Sequence, residues 1–351
     1  MIDIIDILRQ MAPTGQPPTQ GCSLFGVGHD EAFEKLIAEF VNVQFPKGYS
    51  AEKFVVGPYG SGKTHFLRQF AEMAQSSNCA TCEIRLSKDI DLRKQLLVYR
   101  EIMANLMVPG QKSTGAKALL EACMRNIQRQ LPDEDSSGAF LDAWINGLEA
   151  VDFADSKFKR VMIKTLKAMC EREEGIVDNG ILWLEGDVAH KAVCKSMNES
   201  PISSSEQDRF GRKAIFSICQ FIKASNFAGT IIAYDEAEQA ADVGKKKRDE
   251  ILSMLRSEAD AIRNIRNASV FLLYAFTPDV IQEMYKYPAL QQRISEPNPT
   301  YRFFDGNVHS PIIDLQQQHD TQKAASLKFL QNIGEKLVNL FFEQYGDRLK
   351  M

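Results

Sequence analysis

A short glycine-rich string near the start of the chain has the residue types and the spacing of a phosphate-binding loop. It matches the pattern G-x-x-x-x-G-K-[ST] in full, through Gly57, Pro58, Tyr59, Gly60, Ser61, Gly62, Lys63 and Thr64. Glycine lets the backbone curl so that its N–H groups point at phosphate oxygens, and a following helix places its positive end at the same point. Lys63 is expected to reach the β- and γ-phosphates, and the Thr64 hydroxyl is expected to ligate Mg²⁺. The string therefore predicts a site for the phosphates of ATP or GTP.

An acidic pair at the end of an apolar segment provides the second half that such a site needs. Residues 231–234 are mostly apolar, and Asp235 and Glu236 follow them directly. Asp235 is expected to hold Mg²⁺ through water, and Glu236 to polarise the attacking water as a general base. An Asp-Glu pair at this point is typical of ATPases that hydrolyse. The alternative is an exposed strand end, or a helix N-terminus that Asp235 caps. Glu238 lies nearby without an assigned task.

Two further polar residues are candidates for the same site. Thr277 follows an apolar segment at 269–276, where a polar side chain at a strand tip could sense the γ-phosphate. A helix N-cap before Pro278 explains Thr277 equally well. Arg293 follows a proline that starts a helix, and it could complete the site of a neighbouring subunit as an arginine finger. The alternative for Arg293 is an ordinary surface arginine.

Strand and helix patterns alternate on both sides of the chain's middle section. The expected strands are at 53–56, 82–86, 229–234 and 269–276, and the expected helices are at 30–44, 64–75, 91–107, 208–224 and 246–264. Such alternation predicts a parallel sheet with helices packed on it. We therefore predict an α/β fold of the P-loop NTPase type (AAA+/ASCE-like), with a large helical insertion and a C-terminal helical tail.

Five segments are expected along the chain. Residues 1–21 form an N-terminal segment with a short amphipathic helix, and 22–114 form the P-loop half of the core. Residues 115–225 have helical periodicity and few strand signals, which predicts an insertion between the two halves of the sheet. Residues 226–300 form the half with the acidic strand and the sensor, and 301–351 form a C-terminal helical segment with a helix at 316–344.

Composition and charge exclude several classes of protein. Apolar residues make up 44% of the 351 residues and charged residues 25%, and no run of eighteen apolar residues exists, so a membrane span is not expected. The N-terminus has no basic region and carries two aspartates among its apolar residues, so a signal peptide is not expected either. The net charge of −4 argues against a generally basic protein that coats nucleic acid. The basic run at 245–248 is either a loop that contacts DNA or RNA, or a solvated helix face with interleaved acids.

Seven cysteines are expected to remain reduced in a cytosol, so a cytoplasmic location is expected. Cys79 and Cys82 form one C-x-x-C, with no second such pair and no nearby histidine pair to complete a zinc site. The favoured interpretation is two small residues beside or within a strand. Metal binding or redox chemistry is the alternative.

The motifs together resemble a known family. Residues 54–68, which include His65 directly after the loop, are similar to the ATP-binding domain of bacterial BREX-system proteins of the BrxC/BrxD type. Residues 26–31 stand where that family has a short turn and a helix beside the nucleotide base. Residues 97–100 resemble its second helix, and a long helical insertion then precedes the acidic strand with Asp235, Glu236 and Glu238. The resemblance covers roughly residues 20–300.

This resemblance implies an AAA+-like fold, ATP in preference to GTP, Mg²⁺, and a role in phage defence beside DNA-modifying partners. It also implies self-assembly through the ATPase interface and counts His65 among the residues that contact the nucleotide. Two departures are visible. Ala233 and Tyr234 stand where the family more often has aliphatic residues, and the chain ends soon after one C-terminal helix, so a winged-helix DNA-binding domain is not expected.

Three functions fit these observations. The favoured one is a Mg²⁺-dependent ATPase that acts as a motor, loader or switch in an antiphage complex. The second is a non-hydrolysing nucleotide switch or scaffold whose helical insertion binds a partner protein. A nucleotide kinase is the third, which the Asp-Glu pair and the lack of an obvious arginine-rich lid disfavour.

Overall fold

A parallel sheet of five strands lies at the centre of the described chain. The computed structural model describes residues 2–13, 15–87, 89–111, 113–130, 137–241, 245–295, 300–316 and 323–346. The strands are β1 (Ala51–Val56), β2 (Cys79–Arg85), β3 (Gly229–Asp235), β4 (Val270–Phe276) and β5 (Ile312–Asp314). Their order across the sheet is β2-β3-β4-β1-β5, and every neighbouring pair is parallel. The predicted α/β fold with a parallel sheet is confirmed, and the sheet fits a P-loop-like fold.

Helices account for most of the remaining described residues. In chain order they are α1 (Ile4–Met11), α2 (Cys22–Phe25), α3 (Asp30–Leu36), a π-helix (Ile37–Gln44), α4 (Lys63–Ser76), α5 (Gln95–Asn105), α6 (Ala116–Gln128), α7 (Ser137–Gly147), α8 (Ser156–Glu171), α9 (Glu174–Leu184), α10 (Lys191–Ser196), α11 (Gln207–Ala224), α12 (Ala237–Ala241), α13 (Lys245–Asn264), α14 (Pro278–Tyr285), α15 (Pro288–Ile294) and α16 (Lys323–Tyr345). Short 3₁₀ turns lie at Phe45–Lys47, Leu148–Ala150 and Phe303–Asp305. None of the described helices is both long enough and apolar enough to cross a membrane.

The two faces of the sheet bury different sets of helices because side chains alternate along each strand. Val55 and Ala275 belong to the core under α3 and α4, together with Phe33, Phe66 and Phe70. Their strand neighbours Phe54, Val56, Tyr274 and Phe276 belong to the second, larger core. Both β3 and β4 are buried over their whole length, as expected of central strands in a parallel sheet covered on both faces.

Helices α6 to α11 lie between α5 and β3 in the chain. Their buried side chains, including Phe158, Trp183 and Phe210, belong to the same apolar core as the larger face of the sheet. Helix α11 packs closely along α5, so the inserted helices are joined to the sheet through this pair. The five segment boundaries expected from the sequence remain predictions.

Several elements differ from the sequence expectations at their ends. The helix expected at 30–44 changes from α to π geometry at Ile37, and the helix expected at 91–107 begins only at Gln95. Asp91 accounts for the later start, because its carboxylate accepts hydrogen bonds from the backbone and the side chain of Arg93. Strand β2 begins at Cys79, where it pairs with Gly229, so the C-x-x-C lies inside the strand.

The helix expected at 316–344 corresponds to α16, and residues 317–322 lie outside the described part. Helix α16 returns to the N-terminal helix α1. The hydroxyl of Tyr345 donates to an Asp3 carboxylate oxygen at 2.6 Å, and Lys336 Nζ donates to the carbonyl of Gly26 at 2.5 Å. The second contact connects the C-terminal helix to the turn expected beside the nucleotide base.

The contact between α5 and α11 depends on a glycine. A Cβ added at Gly211 would lie 2.4 Å from the backbone carbon of Gln95 and from the backbone nitrogen of Leu96. We expect Gly211→Ala to lower the free energy of unfolding by about 2 to 3 kcal/mol, because two backbones would have to separate. Gly175 is the matched control, since it is a helical glycine whose added Cβ meets nothing within 4 Å. Urea denaturation measures both variants, and equal stabilities would contradict this account of the packing.

Candidate functional site

The carboxyl ends of the strands bring the candidate residues to one edge of the sheet. Gly57 follows β1, Asp235 ends β3 and Thr277 follows β4, which lies between the other two strands. Arg85 ends β2 directly beside Asp235 in the sheet register. In open α/β sheets, ligands bind in the crevice at these carboxyl ends. The topology therefore places residues from four strands around one crevice.

The glycine-rich loop is a tight turn with an open inner side. The N–H of Ser61 donates to the carbonyl of Pro58 at 3.2 Å, and the N–H of Gly57 donates to the carbonyl of Phe276 at 3.2 Å. Gly60 and Gly62 have φ angles of +79° and +89°, which L-residues with a Cβ rarely adopt. A Cβ at either position would meet nothing within 4 Å, so the space beside the loop is free for a ligand.

Helix α4 begins at the loop and directs its N-terminus into the crevice. Its first backbone bond runs from the N–H of Phe66 to the carbonyl of Gly62 at 2.8 Å. The N–H groups at the start of a helix have no partner within the helix, and their dipoles favour an anion. The loop and the helix together present N–H groups of the kind that can bind phosphate oxygens. The Oγ of Ser61 is buried without a hydrogen-bond partner in the described part of the chain, so it is available to bind a ligand in the loop.

Lys63 is folded back onto its own loop. Its Nζ donates to the carbonyl of Gly57 at 2.9 Å and lies 3.4 Å from the carbonyl oxygen of Pro58. It also lies 5.3 Å from the ring centroid of Tyr59 and 3.7 Å from Oε1 of Glu238. The ammonium therefore occupies a position inside the loop that carbonyls, an aromatic face and a carboxylate stabilise.

Thr64 and Asp235 meet across the crevice. The Thr64 hydroxyl donates to Oδ2 of Asp235 at 2.7 Å, although 171 residues separate the two in the chain. Oδ1 of Asp235 is buried and has no hydrogen-bond partner among the described residues. A hydroxyl beside a carboxylate with an unused oxygen is a donor set that suits Mg²⁺, which prefers oxygen ligands and keeps several waters. Asp235 thus directs one carboxylate oxygen to the Thr64 hydroxyl.

Glu236 has an unusual backbone and two side-chain partners. Its φ angle is +52°, a left-handed conformation that costs a non-glycine residue about 1 kcal/mol and that turns the chain from β3 into α12. Its carboxylate forms an ion pair with Arg85 and accepts a hydrogen bond from the side-chain amide of Gln239. No motif in the sequence singles out Arg85. The sheet register explains the pair, because Arg85 lies beside Asp235.

Glu238 is a buried carboxyl group that the sequence left without a task. Its side chain is 6% exposed, and its Oε2 has no hydrogen-bond partner among the described residues. Burial raises the pKa of this carboxyl group, and the nearby Lys63 ammonium opposes that rise. The acidic string at 235–238 was the one available sequence signal, but the proximity to Lys63 is visible only in the fold.

The structure places Thr277 at the crevice and gives Arg293 contacts elsewhere. Thr277 is buried at the N-cap position of α14, but its side chain makes no capping hydrogen bond, so the sensor role remains a prediction. Arg293 Nη2 lies 2.6 Å from Oδ1 of Asp260 in α13, and its Nη1 donates to the carbonyl of Ala289. These contacts hold Arg293 against its own chain.

Helix α4 also fixes the turn expected beside the nucleotide base. Glu72 accepts hydrogen bonds from the N–H groups of Gly21, Cys22 and Ser23 at 2.6, 3.0 and 2.8 Å. The ring of His65 lies 5.1 Å from that of Phe25, and burial lowers the pKa of this histidine. One helix therefore positions both the phosphate loop and this turn. A contact of His65 with a nucleotide remains a prediction.

The two cysteines of the C-x-x-C are both buried in β2. Burial raises the pKa of the Cys79 thiol to about 12 and also raises that of Cys82, so neither thiol is activated for chemistry. Their surroundings fit the structural interpretation of this motif.

Comparison with known proteins identifies a family for the chain. The family model described as BREX system ATP-binding protein BrxC/D matches residues 2–351, which is the whole chain apart from Met1. No curated protein and no solved structure matches the chain. The match agrees with the resemblance seen in the loop and the acidic strand.

Proposed function

The chain belongs to the BREX system ATP-binding protein BrxC/D family, and from this premise we propose that residues 57–64 and Asp235 bind Mg²⁺-ATP and that Glu236 promotes its hydrolysis. The family description supports an ATP-binding role in a BREX defence system. The observation that carries the proposal is the 2.7 Å contact between Thr64 and Asp235, beside the ammonium of Lys63. Lys63 and Thr64 are neighbours in the chain, and Asp235, which lies 171 residues from Thr64, meets the Thr64 hydroxyl next to the glycine-rich loop.

Binding of the phosphates follows from the loop and the start of α4. The N–H groups of the loop and of the helix N-terminus would donate to the α- and β-phosphates. Lys63 would move from the carbonyl of Gly57 to the β- and γ-phosphates. Thr64 and Asp235 would hold Mg²⁺, which supplies charge neutralisation on the phosphoryl group that is transferred.

Hydrolysis requires a group that orients and deprotonates water. Glu236 directly follows Asp235, and its carboxylate is partly exposed at the crevice. In the proposed step, Glu236 accepts a proton from water as the water oxygen attacks the γ-phosphorus, and ADP leaves with the bridging oxygen. Thr277 follows the strand between the loop and the acidic strand, and its proposed role is to sense the γ-phosphate.

The strand order supports the AAA+/ASCE-like assignment. Strand β4 lies between β1, which precedes the loop, and β3, which ends in Asp235. An additional strand between these two is the feature for which that class of P-loop NTPases is named. Motor, loader and switch roles all remain compatible with this arrangement.

A second candidate function is a nucleotide-dependent switch that does not hydrolyse ATP. Two contacts favour it, since Glu236 is paired with Arg85 and Lys63 lies beside Glu238. Both groups would have to leave these partners for catalysis. In this alternative, ATP changes the affinity for a partner protein, and the inserted helices provide the partner surface.

Calorimetry with ATP, with and without Mg²⁺, together with a turnover assay tests the proposal. We expect Mg²⁺-dependent binding and release of phosphate. Binding without turnover, in the presence of partner proteins and DNA as well as in their absence, would favour the switch. No affinity for Mg²⁺-ATP would overturn both candidates.

We propose that subunits self-assemble and that Arg293 acts on a neighbour's nucleotide. Arg293→Ala is then expected to lower turnover at least about tenfold with little change in ATP affinity. Asp260→Ala, which removes the partner of Arg293 in its own chain, is the matched control and should have a smaller effect. Mixing Arg293→Ala with Lys63→Ala subunits should restore part of the activity, because intact sites form across the interface. No recovery on mixing would show that Arg293 has no role in a neighbour's site.

Other partners are proposed on the family description alone. It supports partner proteins within a BREX defence complex. DNA is a further proposed partner, and the side chains of the basic run at 245–248 lie outside the described part of the structure. Salt-dependent affinity for duplex DNA would be the mark of such binding.

A further inference from the structure

Glu238 and Lys63 form a buried pair inside the proposed site. Their carboxylate and ammonium atoms lie 3.7 Å apart, and the two side chains are 6% and 8% exposed. At this distance and burial, the charges are screened far less than a surface pair would be. The Lys63 ammonium therefore stabilises the charged form of the Glu238 carboxyl group.

The three acids of this segment have different partners. Thr64 donates to Asp235, Arg85 pairs with Glu236, and Lys63 lies beside Glu238. Asp235 and Glu236 both repel a charge on Glu238. A backbone hydrogen bond and, among the side chains of the described residues, the Lys63 ammonium favour the charged form of Glu238 against its burial.

ATP needs the same ammonium. When Lys63 turns towards the phosphates, Glu238 is left buried, without its cation and with an additional anion nearby. Breaking a buried pair by removing one partner is strongly unfavourable, because it leaves an uncompensated buried charge. Nucleotide binding must therefore offset the loss of the Glu238–Lys63 pair, which makes the affinity for ATP weaker than it would be without Glu238.

We propose that Glu238 is a positioning residue that competes with the nucleotide phosphates for Lys63, and so sets the affinity of the site for ATP. This inference rests on the proposed function of the loop. It assigns control of ATP affinity to Glu238, a residue outside the loop motif. Helix α12 starts at Ala237, one residue before Glu238, and packs on β4 and α13, so Glu238 belongs to the helix that directly follows Glu236.

Glu238→Gln tests the competition. The amide keeps the size of the side chain and removes its charge, so Lys63 becomes free for phosphate. We expect the Kd of the non-hydrolysable ATP analogue adenylyl imidodiphosphate, measured by calorimetry in the presence of Mg²⁺, to fall about tenfold. A merely structural role predicts the opposite, because damage to the site weakens binding. Glu121→Gln is the matched control, an exposed acid in α6 that changes the net charge equally.

A double-mutant cycle with Lys63→Ala isolates the mechanism. Without Lys63, the gain from Glu238→Gln should largely disappear. A gain of the same size would mean that Glu238 repels the phosphates directly, and it would overturn the proposed competition. Unchanged or weaker binding by Glu238→Gln in an otherwise intact chain would overturn it too.

Two measurements keep the outcome unambiguous. Circular dichroism tests whether Glu238→Gln folds. If it does not fold, Glu238→Met, which also removes the charge, replaces it in the binding experiment. The parent protein separates this inference from the proposed function. A parent without affinity for the analogue contradicts the proposed site, whereas a parent that binds as tightly as Glu238→Gln contradicts the competition alone.

Discussion

Replacing Lys63 by alanine is expected to weaken the binding of Mg²⁺-ATP at least about tenfold and to lower kcat/KM by about two to three orders of magnitude. The ammonium is the cation that the loop itself provides for the β- and γ-phosphates, and charge on the γ-phosphoryl group changes most in the transition state. Alanine leaves the glycines and the helix N-terminus in place. Calorimetry and steady-state phosphate release measure the two effects separately.

The same variant should be less stable when no nucleotide is present. Glu238 would remain buried without its cation, which is expected to lower the free energy of unfolding by about 1 to 3 kcal/mol. The control is the double variant Lys63→Ala with Glu238→Gln. It should regain the lost stability and still bind ATP weakly, so it separates a folding defect from loss of the phosphate contact. Full ATP affinity in Lys63→Ala would contradict the assignment of the loop.

The loop and its setting were predictable because their requirements are local. Gly60 and Gly62 occupy left-handed conformations, and the apolar residues on either side specify a buried strand and an amphipathic helix. The acidic end of β3 was predictable for a similar reason, since a short apolar run followed by Asp235 needs no knowledge of distant residues. The meeting of Thr64 with Asp235 then follows from parallel strands that share one edge.

The elements that were missed depend on contacts between distant parts of the chain. Strand β5 is three residues long and exists through its pairing with β1, so no alternation in its own sequence could predict it. The change to π geometry at Ile37 also has no signal that we could identify in the residues. Pairing with β1 therefore decides β5.

The partners of the charged site residues were likewise beyond the sequence. Arg85 reaches Glu236 because β2 and β3 are in register, and Glu238 at the start of α12 lies beside Lys63. Arg293 pairs with Asp260 through the packing of α15 on α13. A motif predicts which chemical groups a site contains, whereas the fold determines which of them hold one another before a ligand arrives.

Replacing Glu236 by glutamine is expected to lower turnover by about two to four orders of magnitude while the Kd for Mg²⁺-ATP changes little. Glutamine has the size of glutamate and can still hydrogen-bond, but it cannot accept the proton of the attacking water. The loop, Lys63, Thr64 and Asp235 are untouched, so the phosphates and the metal are held as before. Single-turnover phosphate release together with calorimetry measures this separation of chemistry from binding.

Arg85→Ala distinguishes a lost base from a lost ion pair. Both Glu236→Gln and Arg85→Ala remove the pair between β2 and the start of α12, but only the first removes the carboxylate. If Glu236 is the general base, Arg85→Ala retains turnover and Glu236→Gln does not. If the pair merely holds the segment in place, the two variants should lose turnover equally. Parent-level hydrolysis by Glu236→Gln would leave the site as a nucleotide-binding switch whose carboxylate has no role in the chemistry.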